Sequence, residues 1–138
     1  MIGDAFRGQI QTSLPEGEAV IREPLWLSFP IRQEYFDAIL WGKKHDEIRA
    51  RKPFWDTRVK RIAEKLQMPY PSGICFPSES VAAVFIRGGD MATVRFWLRG
   101  VELHVNAESA LQREPSLQGR KDLGNGEVWK FLIGGMYP

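Results

Sequence analysis

The sequence predicts a small α+β domain in which helices accompany a sharply bent sheet, and three observations lead there. Apolar residues recur at helical spacing in the first half of the 138-residue chain, they alternate in the second half, and the longest alternating run changes parity at Gly100. A chain of this length can bury most of its unfolded surface in one core. One domain is therefore expected over residues 25–138, preceded by an N-terminal extension, residues 1–24, in which Gly, Pro and charges follow no sustained period.

The elements follow in order. Leu25-Trp26-Leu27-Ser28-Phe29 reads as a short strand with Leu25, Leu27 and Phe29 on one face, closed by Pro30. Tyr35, Phe36, Ile39 and Leu40 form the stripe of a short helix, and Gly42 stands where a left-handed cap is wanted. From His45 to Arg51 the pattern alternates. His45, Glu47, Arg49 and Arg51 fall on a charged face, and Asp46, Ile48 and Ala50 on a packed one. A second helix is expected from Asp56, as N-cap, to the stop at Pro69, with Val59, Ile62, Ala63 and Leu66 inward and Arg58, Arg61 and Lys65 together on another face. Strands are then expected from Val81 to Ile86, across a Gly88-Gly89-Asp90 turn, and from Ala92 to Val105. In that second run Phe96 and Leu98 occupy even positions and Val101 and Leu103 odd ones; a bend at Gly100 keeps the apolar side inward. Residues 106–127 read as a polar connection with one helical turn near Ala107 to Leu111, and Val128 to Ile133 as the closing strand, ended by Gly134-Gly135.

Composition narrows the function. The 43% hydrophobic and 26% charged shares exclude a disordered or collagen-like chain. The one cysteine, Cys75, excludes an internal disulfide, and its apolar flanks predict a buried thiol. No apolar run approaches the roughly 20 residues of a membrane span, and the N-terminus lacks a signal-peptide layout, so a cytoplasmic protein without a membrane partner is expected. The net charge is only +2, but between Gly42 and Lys65 nine basic residues face four acids, a local +5 that leaves −3 for the rest. A phosphate-bearing partner accounts for such a window, and so does a solvated helix face.

Nucleotide-binding glycine loops, a nucleophile elbow and paired cysteines are all missing from the sequence. His45 and Glu47 are the one local pair with metal-ligand spacing, and strand alternation brings such pairs together without a metal, so neither metal nor cofactor is expected. Of the five tryptophans, Trp26, Trp97 and Trp129 are expected in the core. Trp41 interrupts the inward stripe of its helix, and Trp55 sits between Arg51-Lys52 and Arg58, where a ring can stack on a base while cations hold phosphates.

The segment from Tyr35 to Arg49 resembles the signature of ASCH domains, a helix of the form Y-F-x-x-I followed by G-x-K-x-x-E-x-R. Gly42, Lys44, Glu47 and Arg49 match in order and spacing. Pro53-Phe54-Trp55, the strand end Phe85-Ile86-Arg87-Gly88 and the last strand to Gly134 extend the likeness over about four-fifths of the chain. The resemblance implies a PUA-like fold, a small bent β-barrel with flanking helices and a cleft between helix and sheet, and a partner that is RNA, a nucleoside or a modified base. Glu47 and Arg49 would floor the cleft, with Lys44 at its mouth and Arg51, Lys52, Trp55, Arg58 and Arg61 around it. A structural ion pair at the barrel rim is the competing reading of Glu47 and Arg49. Lys44 has the opposite strand parity, so a turn after Gly42 must swing it inward for the cluster to form.

The resemblance also implies a rival activity. Some ASCH proteins hydrolyse N4-acylated cytidines with the signature lysine, a threonine three residues later and a distant glutamate, and others are reported to cleave RNA. Lys44 matches the lysine, whereas Glu47 stands in place of the threonine. If the chain is a hydrolase, Lys44 and Glu47 are its candidate catalytic pair.

Overall fold

The computed structural model describes residues 23–111 and 121–138. The expected N-terminal extension therefore lies almost wholly outside the described residues, as does the middle of the connection before the last strand. The order is β1 (Leu25–Ile31), α1 (Gln33–Leu40), β2 (Asp46–Ala50), α2 (Pro53–Leu66), β3 (Ile74–Cys75), β4 (Val81–Arg87), β5 (Thr93–His104), α3 (Ala107–Leu111), a 3-10 turn (Lys121–Leu123) and β6 (Val128–Met136). The strands form one mixed sheet in the order β1-β4-β5-β6-β2, with β3 beside β5; β1 runs parallel to β4, and the other pairs are antiparallel. The sheet curls into a half-barrel, which with its few helices makes a small α+β domain.

The curl has a local cause at Gly100. The β5–β6 register shifts between Phe96 and Leu98 and again before Gly100, so inward residues change from even to odd numbers as the alternation requires. A Cβ on Gly100 would lie 2.6 Å from the Ile74 carbonyl oxygen, so only glycine lets β3 approach. β3 turns Ile74 into the core and Cys75 outward, and the expected buried thiol is instead exposed.

Three expected boundaries move. Pro30 does not close β1, which runs on to Ile31: Leu25 N–H donates to Ser80 at 2.9 Å and the Ile31 carbonyl accepts from Gly88 at 2.9 Å. The backbone groups of residues 25, 27, 29 and 31 thus face β4, and those of 26, 28 and 30 face the open edge, where a missing N–H costs no ladder bond. α2 begins at Pro53, which is preorganised for a first helical turn, and Asp56 is inside that turn instead of capping it. Gln67 ends the helix in the left-handed conformation. β6 passes through Gly134 and Gly135 to Met136; the missing side chain at 134 makes room for Arg99, whose Cγ would lie 3.1 Å from a Cβ.

The main core lies inside the curl. Phe29 of β1 stacks on Trp55 of α2 at 4.9 Å and on Phe85 of β4 at 5.2 Å, and Phe131 of β6 meets Phe29 edge-on. A smaller cluster of Ile48, Ala110, Leu123 and Val128 packs on the other face of the sheet, under α3 and the 3-10 turn. Both faces of β2 are consequently covered.

Candidate functional site

Gly42 adopts φ +73° after α1, and the turn it makes is tied back by Lys43 and Lys44 N–H groups donating to the Ala38 carbonyl at 2.8 and 3.1 Å. This turn swings the Lys44 side chain inward. Its ammonium donates to the Asp46 carbonyl and to Glu47 Oε1 at 3.1 Å, and Arg49 Nε donates to Glu47 Oε2 at 2.8 Å. Lys44, Glu47 and Arg49 thus converge, as the sequence required. They converge in the core, however, and not on an open cleft floor: Lys44 is 2% exposed and Glu47 1%. The reason is register. Glu47 pairs with Phe131 and Arg49 with Trp129, so the charged face expected to floor a cleft looks into the aromatic core.

Arg49 links this cluster to the surface. Its guanidinium lies 5.5 Å from the Phe29 ring centroid and 5.3 Å from that of Trp55, and an Nη donates to the outward carbonyl of Pro30 at 2.9 Å. Arg49 therefore spans from β2 to the open edge of β1, the two ends of the half-barrel. Asp46 lies on the opposite face of β2, 3.6 Å from the Lys130 ammonium, with one carboxylate oxygen buried and unpartnered among the described residues. Burial pushes its carboxyl above the ordinary aspartate range, against the pull of Lys44 and Lys130.

The remaining candidates divide. Trp55 is 7% exposed and stacked on Phe29, so it is a core residue and not a ligand platform; its place in the basic window reflects helix α2 turning this position inward while its neighbours face out. Arg51 is held by Glu127 at 2.8 Å and Asp56 at 3.3 Å, and the paired acids raise its pKa against the opposing effect of burial. Asp56 also accepts the Trp129 indole N–H at 2.8 Å. Lys52 is exposed at the start of α2. Arg58 covers the Phe54 ring at 3.5 Å and donates to the Phe54 carbonyl.

Arg58 and Arg61 meet again at a groove that the sequence alone did not locate. It has a volume of about 510 Å³ and runs between β1 and α2, with Leu25, Trp26, Ser28 and Pro30 on one side and Phe54, Arg58, Arg61 and Lys65 on the other. Three cations line it and, among the described residues, no acid does, although Glu23 accepts the indole N–H of the lining Trp26 at 3.5 Å. Trp26, expected in the core, is 37% exposed here, its ring 5.1 Å from Tyr137, which in turn meets Trp97 at 4.7 Å. Its even position on β1 was the available signal, since Leu25, Leu27 and Phe29 claim the inward face. Trp41 is also exposed, as its interruption of the helical stripe foretold, and Trp129 is fully buried.

No family model, curated protein or solved structure matches this chain. Its function must be argued from its own residues. Among the described residues, no helix is long and apolar enough to cross a membrane, and no group of three or more His, Cys, Asp or Glu side chains is placed to hold a metal.

Proposed function

We propose that this chain is a PUA-like module of the ASCH type that binds RNA or a nucleoside, with the groove between β1 and α2 as its contact surface. One observation carries the reading: the exposed Phe54 ring shares a groove with Trp26, Arg58, Arg61 and Lys65, and among the described residues no carboxylate lines it. Cations beside aromatic rings are the recurring means of holding a flexible polyanion, the rings taking bases and the cations phosphates. Arg49, reaching from the buried Lys44–Glu47 pair to Pro30, braces one end of this groove. Lys52 at the start of the same helix adds charge, whereas Arg51 is committed to Asp56 and Glu127. The test is fluorescence anisotropy of a labelled RNA oligomer across a salt series. Each phosphate neutralised contributes about −0.7 to the slope of log K against log salt for a single strand. Arg58→Ala with Arg61→Ala should weaken binding and flatten the slope by about 1–1.5; an unchanged slope refutes the reading.

Hydrolysis is the second reading, and the inward Lys44 ammonium 3.1 Å from Glu47 favours it. Both groups are almost wholly covered, which ranks binding first. Turnover of an N4-acylated cytidine or of short RNA by the wild-type chain would support the enzyme; intact substrate after prolonged incubation removes it.

A further inference from the structure

The edge of β1 deepens this reading, and the inference rests on it. β1 ends the sheet, and its outward N–H and C=O groups belong to Trp26 and Ser28, with the carbonyl of Pro30 beyond them. Pro30 is engaged by Arg49, but among the described residues the main-chain groups of Trp26 and Ser28 meet no protein partner, and both residues line the groove. An extended residue presents its N–H and C=O in the same direction, one donor beside one acceptor. The Watson–Crick edge of an unpaired base offers the complementary acceptor and donor, and in a duplex that edge is already used. We infer that the groove takes a single-stranded oligonucleotide, one base of which hydrogen-bonds the main chain of Ser28 or Trp26 while Arg58, Arg61 and Lys65 hold the flanking phosphates.

Charge selects this occupant over a neutral peptide strand, since the three cations stand along the helix wall opposite the open edge. The exposed Phe54 ring, on the helix wall of the groove, offers the base a stacking surface.

Anisotropy titrations with a labelled eight-nucleotide RNA, the same RNA annealed to its complement, and an acidic peptide of equal charge test the inference. The single strand should bind at least tenfold more tightly than the duplex. Ser28→Pro removes one outward N–H without changing charge or breaking a ladder bond, and it should weaken the single strand about three- to tenfold, the effect of one hydrogen bond. Ser28→Ala keeps the N–H and should bind as wild type. Because a proline variant can misfold, the second arm leaves the protein untouched: RNA bearing bases methylated on the Watson–Crick edge should lose a similar factor. Equal affinity for single strand and duplex, or indifference to base methylation, overturns the inference, and sensitivity to Arg58→Ala with Arg61→Ala would then preserve the wider reading. Failure of every RNA to bind sinks both. Tighter binding of the acidic peptide, lost in Ser28→Pro, overturns the inference in favour of strand addition by a protein.

Discussion

Replacing Glu47 by Leu should unfold much of what the half-barrel holds together, because among the described residues Glu47 is the one carboxylate that both Lys44 and Arg49 contact. Without it, Lys44 stays 2% exposed with the Asp46 carbonyl as its one remaining partner among the described residues, and an ammonium in that position has lost most of what offsets its desolvation. Removing one member of a buried pair costs about 3–5 kcal/mol. The whole stability of a domain is about 5–15 kcal/mol. At roughly 3–5 °C per kcal/mol for a chain of this size, the melting temperature should fall by about 10–20 °C. Lys44→Met should do similar damage by stranding Glu47 against Arg49 alone. The double variant should recover most of the loss, since apolar side chains of similar volume often replace a buried pair without penalty. Thermal melts followed by circular dichroism, with urea titrations for the free energies, give the coupling directly. Single variants that each cost less than about 1 kcal/mol, the level of exposed pairs, would refute the argument and return the cluster to solvent.

Three further outcomes are expected. Trp55→Ala should cost about 3–5 kcal/mol in urea denaturation because the ring is stacked on Phe29, whereas Trp26→Ala should stay within about 1 kcal/mol; comparable losses at the two positions would contradict the burial pattern. Gly100→Ala should destabilise by about 1–3 kcal/mol, since its Cβ would stand 2.6 Å from a backbone oxygen of β3, and a neutral result would show that β3 can retreat. The third concerns Asp46, whose folded carboxyl titrates above its unfolded value because it is desolvated. Between those two values the folded chain holds a proton that the unfolded chain has released, so this group makes stability fall as pH rises through the window, and the penalty is complete above it. Asp46→Asn should therefore be at least as stable as wild type at neutral pH, with its advantage shrinking as pH falls through that window and gone below the ordinary aspartate value. An advantage that grows in acid would reverse the sign.

Much of the fold was legible because its signals are local. The alternation in β4 and β5, the parity change at Gly100, the helical turn at Ala107 and the left-handed turn at Gly42 each follow from a few neighbouring residues. The inward swing of Lys44 was legible for the same reason: its parity is wrong for the Glu47 face, and the turn corrects it. Depth was not legible. Nothing local to His45–Arg51 says that its charged face will pair with Phe131 and Trp129, and only strand order places Glu47 against the aromatic core. Trp55 misleads in the same way, as charged neighbours in sequence lie around the helix from it and not beside it. The groove was hidden because its two walls, β1 and α2, come together only when the sheet curls.

The bridge from Arg49 to Pro30 also has a bearing on solubility. A terminal strand with free main-chain groups is a template on which a second copy can grow an intermolecular sheet, and natural proteins blunt such ends with proline and inward-reaching charge. Both devices meet at Pro30, whose ring supplies no donor and whose carbonyl is occupied by a guanidinium anchored in the core. Any lesion that frees Arg49 from Glu47 would thus do more than weaken the monomer. It would uncover the last outward acceptor of β1 and lengthen the stretch open to another chain, so variants of this cluster should show concentration-dependent turbidity before they show loss of secondary structure.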